Sequence, residues 1–208
     1  MDLFSSVALG ASAAWASGLN AYAVVLALGI LGSSGHLVLP PDLQILTNPL
    51  IIAAAGLMYA IEFFVDKTPG VDSAWDAVHT FVRIPAGAIL AAGTFGHLDP
   101  VLQIVAFLLG GTLAATTHLT KAGARVLINT SPEPFSNWTA SITEDLLAFG
   151  AIWGAVNHPV AWLIVMALLI ALTIWLLPKL WRGIVRVWRK IRSWFGGSPT
   201  HSDIQSTP

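Results

Sequence analysis

The basic residues of this chain are confined to three stretches, each of which follows an apolar segment or extends into the start of the next one. The ten are Lys67, Arg83, Lys121, Arg125, Lys179, Arg182, Arg186, Arg189, Lys190 and Arg192. The connections that lie between these stretches hold acids and histidines but neither Lys nor Arg. Short loops rich in Lys and Arg stay on the cytoplasmic side of a membrane. The pattern therefore predicts that all ten positive charges, and both chain termini, are cytoplasmic.

The composition also indicates an integral membrane protein. The chain is 55% hydrophobic and only 10% charged, whereas a soluble domain carries about 25% charged residues. So few charges cannot cover a water-facing surface. The absence of cysteine excludes disulfides, thiolate metal sites and cysteine nucleophiles. Residues 1–4 lack the basic region of a cleavable signal peptide, so we expect the first apolar segment to be retained.

Six apolar segments approach the roughly 20 residues that a spanning helix needs. They are 9–33, 48–65, 77–95, 101–118, 139–157 and 160–178. Because every second connection is short, neighbouring segments should be antiparallel. The sequence thus predicts an all-α polytopic bundle of three helical hairpins over residues 1–178. Two longer polar segments, 66–76 and 119–138, join the hairpins on the inner side.

The three hairpins resemble one another. His36, His97 and His158 follow at intervals of 61 residues in the outer connections, and both Gly35-His-Leu37 and Gly96-His-Leu98 precede a Gln-Ile pair. Hairpins of equal orientation would form a parallel threefold repeat with its axis along the membrane normal; chance coincidence is the alternative. A shared axis would let the histidines bind a metal, but exposed interfacial histidines are commoner, so no metal is predicted.

Several polar side chains lie inside the apolar segments. Intramembrane ionisable residues are costly and usually face a bundle interior or water. Arg83 is predicted to pair with Glu144 or Asp145, since an unpaired buried charge is expensive. These residues would form a binding or gating layer; a structural ion pair, or side chains that reach to the interface, are the alternatives. The positions concerned are Asn20, Glu62, His79, Arg83, Glu144 and Asp145.

The two inner segments are polar and rich in turn signals. One carries Asp66, Lys67, Asp72 and Asp76 around a Pro-Gly turn. The other carries Lys121 and Arg125 on one helix face, then a Pro-Glu-Pro stop and a new helix start. Either segment could re-enter the bundle or form a capped turn. The predicted solute-binding or gating residues are the six buried polar positions above and eight residues of these two inner segments. The eight are Asp66, Lys67, Asp72, Asp76, Lys121, Arg125, Glu133 and Asn137.

The C-terminal part combines basic residues with aromatic ones. Over 179–195, apolar residues fall at helical spacing on one side, which predicts a juxtamembrane amphipathic helix on anionic lipid at the cytoplasmic face. Residues 196–208, rich in Gly, Ser and Pro, are predicted to be disordered. The expected lipid-binding residues are Arg182, Arg186, Arg189, Lys190 and Arg192.

Four strings resemble the bacterial membrane proteins of the domain of unknown function 4126 family. They are Ser17-Gly-Leu-Asn-Ala-Tyr22, Asp66-Lys-Thr-Pro-Gly-Val-Asp72, Lys121-Ala-Gly-Ala-Arg125 and Asn129-Thr-Ser-Pro-Glu-Pro-Phe-Ser-Asn137. The resemblance covers residues 10–155 and omits the basic tail. It implies a small multi-pass protein of the bacterial inner membrane and brings no substrate or reaction with it.

The function predicted from these features is a small transporter or channel for an unidentified polar or ionic solute. The alternative is a non-catalytic scaffold or accessory subunit of a larger complex. An enzyme is not expected, because the usual catalytic motifs are missing and Gly32-Ser-Ser-Gly35 beside His36 lacks a third partner. We expect neither a cofactor nor a nucleic-acid partner. The expected partner is a bilayer with anionic lipids. A homo-oligomer is one possible assembly, because a single chain of this size is small for enclosing a pathway.

Overall fold

The computed structural model describes residues 1–96, 98–130 and 134–195, and within these ranges helix is the only regular secondary structure. The all-α prediction is confirmed. Predictions for His97, Glu133 and the tail 196–208 lie outside the described residues. The elements are α1 (Leu3–Ser33), a 3-10 helix (Pro41–Thr47), α2 (Pro49–Val65), α3 (Val71–Gly93), α4 (Pro100–Ile128), α5 (Pro134–Asn157) and α6 (Pro159–Phe195).

Local sequence explains where these helices begin. Pro opens α2, α4, α5 and α6, at a position where its missing N–H has no helical partner to lose. The side chains of Asn48 and Asp99 cap α2 and α4 by accepting hydrogen bonds from the first turn. The inner connection between α2 and α3 is only residues 66–70, and Gly70 adopts a φ of +84°, which favours glycine. This segment is therefore a tight turn and not a re-entrant loop.

Three helices in the described ranges are long and apolar enough to cross a membrane. They are α1, α4 and α6 up to Lys190, and a fourth is added if the 3-10 helix and α2, bent by 70°, count as one span. α1 is the most enclosed of them, with 67% of its apolar window buried, whereas α6 has only 11% buried. A central α1 is thus surrounded by helices whose apolar faces point outward.

α1 is broken at Asn20. This residue has φ −155° and ψ 97°, outside the helical region, at a buried position. Its side-chain Oδ1 accepts from the backbone N–H of Ala23 at 2.9 Å, so Asn20 caps the helix that follows. The carbonyl of Leu19, freed by the break, accepts from the Lys121 ammonium at 2.9 Å. We call the two halves α1a (3–19) and α1b (21–33).

α1a and α4 run in the same direction. A side-chain carbon at Gly110 would lie 3.5 Å from Cβ of Ala14, and one at Gly18 would lie 2.5 Å from the carbonyl oxygen of Ala114. An increase of four residues in α1a thus matches an increase of four in α4. The start of α1a accordingly lies beside the start of α4.

α1b runs in the opposite direction. It is antiparallel to α2, because Leu26 contacts Gly56 while Gly29 meets Ile52. α2 itself runs with α4. Asp42, just before α2, accepts from Gln103 near the start of α4 at 2.9 Å, and Asp66, just after α2, lies 2.7 Å from Lys121 near its end. α1 is therefore a re-entrant pair with its tip at Asn20.

This geometry bears on the predicted first span and on the predicted placement of the two termini. The segment 9–33 is not one continuous helix, since α1 reverses at Asn20 and both of its ends lie at the end of the bundle where α4 begins. The C-terminal helix ends at the opposite side, where Leu180 packs near Gly123 and Leu127 near Gly183. The first and the last described residues therefore lie at opposite ends of the helical bundle. Hydropathy could not reveal the reversal, because it records how apolar a segment is and not its direction.

The basic tail is a continuation of α6. The helix runs from Pro159 to Phe195 with Pro178 inside it, so nothing separates the predicted domain 1–178 from a helix 179–195. Leu180, Gly183 and Ile184 pack against α4. The side chains of Arg182, Arg186 and Arg189 are exposed. The predicted juxtamembrane helix 179–195 is therefore the last part of α6, and its place on anionic lipid stays a prediction.

The reversal of α1 can be tested by cysteine labelling, since the chain has no native cysteine. We expect a cysteine inserted after Met1 and one at Val38, an exposed position, to react with a membrane-impermeant maleimide from the same side of oriented vesicles. Ser193→Cys should react from the other side. Reaction of the first and the last of these from one side would show that α1 crosses the membrane.

Candidate functional site

Eight charged side chains meet at the end of the bundle where α2, α4 and α6 approach their C-termini. We call this set the ionic network. It connects α2, α3, α4, α5 and the turn 66–70, and the side chains are between 0% and 13% exposed. Side chains that reach to an interface would be more exposed, so that alternative does not describe them. The members are Glu62, Asp66, Asp72, Asp76, Arg83, Lys121, Arg125 and Glu144.

Arg83 holds two carboxylates at once. Its Nη2 lies 2.7 Å from Oε1 of Glu62, and its Nη1 lies 2.7 Å from Oδ1 of Asp76. Nη1 also lies 3.1 Å from Nδ1 of His118, whose Nε2 is 2.8 Å from the Thr80 hydroxyl. The predicted pairing of Arg83 with Glu144 or Asp145 is wrong. The inner half of α3 directs Arg83 toward α2 and α4, whereas Glu144 faces the last turns of α4.

Lys121 and Arg125, one helical turn apart on α4, join the remaining elements. Lys121 lies 2.7 Å from Asp66 and 3.3 Å from Glu144. Arg125 lies 2.6 Å from Glu144 and 3.8 Å from Asp72, and it donates to the carbonyl of Asp66 at 2.8 Å. These two cations thus bind the turn after α2, the start of α3 and the middle of α5 to one face of α4.

The second half of the site is a lattice of amides around the start of α3. Oδ1 of Asp72 accepts from the backbone N–H of Gly70 at 2.9 Å and from Nδ2 of Asn129 at 2.8 Å. Asn137 donates to Oδ1 of Asn129 at 2.8 Å, and its own carbonyl accepts from Arg125 at 3.2 Å. The two polar inner segments, which are distant in sequence, therefore dock on each other.

Asp145 and Asn20 meet at the tip of α1. Nδ2 of Asn20 donates to Oδ1 of Asp145 at 3.3 Å, so two members of the predicted polar set are in contact. The Tyr59 hydroxyl of α2 faces the same carboxylate. None of the ion pairs in the described chain includes Asp145. The re-entrant tip thus touches the site through an amide, beside a carboxylate with no direct counter-ion.

Lys67 lies beside this tip without entering the ionic network. Its ammonium donates to the carbonyl of Phe63 at 2.9 Å and to Ser141 at 3.2 Å, and it lies 3.0 Å from the centroid of the Phe63 ring. Burial lowers the pKa of Lys67, and the charges of Asp145 and Asp66 oppose this shift. The position of Lys67 is thus compatible with its charge only because acids lie nearby.

His79 belongs to an aromatic group and not to the ionic network. Its Nδ1 lies 2.9 Å from the carbonyl of Trp75, and its ring stacks on that indole with 4.0 Å between centroids. The ring of Tyr22, from α1b, approaches His79 edge-on at 5.8 Å. Although His79 and Arg83 lie four residues apart on α3, only Arg83 binds the carboxylates.

The histidines of the outer connections do not contribute to this site. Nδ1 of exposed His36 lies 2.9 Å from the Ser34 hydroxyl, and His158 packs edge-on against Trp153. His97 lies outside the described residues. Over the described ranges, no group of three His, Cys, Asp or Glu side chains could hold a metal ion.

Among the members of this site that sequence reasoning missed are His118, Ser141 and the backbone carbonyl of Leu19. His118 is three residues before Lys121 and seven before Arg125, so helical spacing places it on the same face of α4 and could have identified it. Ser141 is likewise three residues before Glu144. The carbonyl of Leu19 has no signal in the sequence, because it becomes available only through the break that follows it.

The carboxylates of the site outnumber the cations. With Asp145 and Lys67 included, six acids face four bases. One oxygen of each of five acids is buried without a hydrogen-bond partner in the structure: Glu62 Oε2, Asp66 Oδ1, Asp72 Oδ2, Asp76 Oδ2 and Asp145 Oδ2. Buried polar atoms are normally satisfied. The site therefore has spare capacity to accept hydrogen bonds or positive charge.

The same segments identify the protein family. A profile described as domain of unknown function (DUF4126) matches residues 7–179, which is most of the chain. The chain belongs to the DUF4126 family. The match includes the re-entrant pair, both polar inner segments and every member of the ionic network, and it ends where the basic tail begins. No curated protein and no solved structure matches the chain.

The network predicts a large difference in stability between two arginine variants. Arg125→Met removes a fully buried cation and leaves Glu144 and Asp72 with weaker compensation, so we expect a loss of about 3–5 kcal/mol. Arg182→Met, on the exposed face of the tail, should cost less than about 1 kcal/mol. The free energy of unfolding in detergent micelles, measured by equilibrium denaturant titration, checks this. Equal losses would contradict a network that holds the bundle together.

Proposed function

We propose that this DUF4126 protein is a small integral membrane transporter or channel for a small polar or ionic solute. The observation that carries the proposal is the break of α1 at Asn20, which places a re-entrant tip against a buried ionic network. In several transporter folds, discontinuous helices form the binding site at mid-membrane depth, where half-helix ends and freed carbonyls meet the ligand. Buried ionisable residues in membrane segments commonly mark ion or substrate pathways.

The proposed placement in the membrane follows from the same geometry. α2 to α6 would cross the bilayer, and α1 would enter and leave on the side opposite the basic residues. Because Lys and Arg favour the cytoplasm, the ionic network and the C-terminus would face it, and residue 1 would face outward. A bacterial inner membrane is the proposed location. Anionic lipid of the inner leaflet would bind Arg182, Arg186, Arg189, Lys190 and Arg192.

The direction of the helices also supports the threefold repeat as part of this proposal. In this arrangement α1b, α3 and α5 each run from the network end to the opposite end, and α2, α4 and α6 return. Asn20, which caps α1b, contacts Asp145 of α5, and Arg83 of α3 belongs to the adjoining ionic network. α1a would then be an additional half-helix placed before the first repeat. This would explain why α1 is longer than each of α2, α3, α4 and α5.

A second candidate is a non-catalytic scaffold, and one observation favours it. Arg83, Lys121 and Arg125 each have at least two carboxylates within 4 Å. Such a network fixes helix register whether or not a solute passes. The two candidates differ in what the charges do: in a transporter their identity matters, whereas in a scaffold only their pairing does.

Flux measurements on proteoliposomes test the transport proposal. Currents on a solid-supported membrane after jumps of NaCl and KCl, and stopped-flow light scattering with glycerol and urea, would cover charged and neutral probes. We expect at least one probe to cross faster than in empty liposomes, and Glu144→Gln to reduce that rate at least tenfold because it alters the charge at the network. Asp42→Asn, an exposed acid at the other end, is the matched control. Equal flux in native protein and Glu144→Gln would contradict the proposal.

The exchange of one ion pair separates the two candidates. Arg125→Glu combined with Glu144→Arg keeps a pair that is 2.6 Å apart in the native protein. We expect the double variant to regain part of the stability that either single variant loses, yet to show no flux, because the field along the pathway is reversed. Recovery of both stability and flux would favour a scaffold role for these charges. Thermal unfolding in detergent supplies the stability measurement.

A further inference from the structure

The ion pairs of the site leave one carboxylate, Asp145, without a direct counter-ion. Arg83 holds Glu62 and Asp76, and Lys121 and Arg125 hold Asp66 and Glu144. Asp72, the fifth acid of the network, lies in the first turn of α3, where a helix favours negative charge. It accepts hydrogen bonds from two backbone amides and from Asn129, and Arg125 lies 3.8 Å away. Asp145 has neither a cation within 4 Å nor a backbone donor among the described residues, and its asparagine partner is 3.3 Å away.

Asp145 is nine-tenths buried, and its surroundings offer little to an ionised carboxylate. Oδ1 accepts a hydrogen bond, at 3.3 Å, from a neutral amide, the neutral Tyr59 hydroxyl interacts with the carboxylate, and Oδ2 has no hydrogen-bond partner within 3.5 Å. A carboxylate in such a place is expensive unless it is paired. The groups that face it from the neighbouring elements are Asn20 of α1, Tyr59 of α2, Asp66 and Lys67 of the inner turn, Lys121 of α4 and the adjacent Glu144 of α5.

We propose that Asp145 is a reversible proton-binding site at the tip of α1. A proton compensates a single carboxylate without further ligands, whereas a metal ion needs several oxygen ligands, and no such group is present in the described chain. The proton adds to Oδ2, the oxygen without a partner, and forms a neutral carboxylic acid. Proton binding by Asp145 does not depend on the proposed transport function. Only the further step, that this proton belongs to a transport pathway, rests on it.

Protonation of Asp145 acts on the break in α1 through one residue. The amide of Asn20 spans both sides of the break: its Nδ2 donates to Asp145 and its Oδ1 caps α1b. Ionised Asp145 is a better acceptor for Nδ2 than the neutral acid is, so it helps to hold the cap in place. The neutral acid is a weaker acceptor, so the tip is held less firmly when the proton is bound. Proton binding and the position of the re-entrant tip are thereby coupled.

Infrared difference spectroscopy detects this proton directly. Native protein in liposomes is titrated, and the spectrum at high pH is subtracted from that at low pH, with Asp145→Asn and Asp42→Asn treated in the same way. We expect a carbonyl stretching band of a buried carboxylic acid in native protein and in Asp42→Asn, and its loss in Asp145→Asn. Asn20→Ala keeps the acid and should shift the midpoint of that band to higher pH, because the ionised form loses its donor.

Identical difference spectra for native protein and Asp145→Asn would overturn the proposal. If Asp145→Asn fails to fold, Asn20→Ala remains a sufficient test, because an unchanged band and midpoint in that variant would also overturn it. Acidification of the same liposomes, followed with an internal pH dye under a potassium diffusion potential, tests transport separately. If the carboxylic-acid band is present but no proton flux is measured, the proton site is supported and a proton pathway through the protein is not. If solute flux is measured but the band is absent, transport is supported and the proton site is not.

Discussion

The hydrogen bond from Lys121 to the carbonyl of Leu19 connects the two unusual features of this protein. At 2.9 Å it satisfies a carbonyl that the break in α1 exposes in an apolar interior, where an unsatisfied backbone group costs several kcal/mol. The same ammonium lies 2.7 Å from Asp66. Lys121 therefore ends α1a and anchors the ionic network with one charge, so the re-entrant pair and the network depend on each other.

The ionic network is better understood as a source of specificity than of net stability. Buried ion pairs seldom outweigh the cost of removing both charges from water, but the loss of one partner is strongly destabilising. The bundle is rich in small residues and its helices could slide past one another. Arg83, Lys121 and Arg125 fix one register, because each has carboxylates from at least two elements within reach. The close approach at Gly18, where α1 meets α4, is permitted by that register.

The sequence predicts the positions of the helices and the charged residues of the site well, but it predicts neither the ion pairs nor the path of α1. Apolar segments and proline-bounded turns place the helices nearly correctly, because helix length and hydropathy are local properties. The residues of the buried site are also foreseen. Glu62, Arg83 and Glu144 stand out because charge is rare in apolar segments, and Lys121 and Arg125 stand out because they share one helix face. Their pairing is not foreseen, since Arg83 selects its partners by the rotation of α3, which no local pattern encodes. The reversal of α1 at Asn20 cannot be predicted from the sequence for a similar reason. A single asparagine in an apolar segment can either cap a new helix or lie within a continuous one.

The re-entrant path of α1 is the central claim, and a single distance tests it most directly. Spin labels at Phe4→Cys and Ser33→Cys, measured by pulsed electron paramagnetic resonance in liposomes, report the separation of the two ends of α1. A continuous helix rises about 1.5 Å per residue and would separate these sites by about 44 Å. The reversal at Asn20 predicts a distribution centred well below that value. A distribution centred near 44 Å would show that α1 crosses the membrane as one helix and would contradict this account.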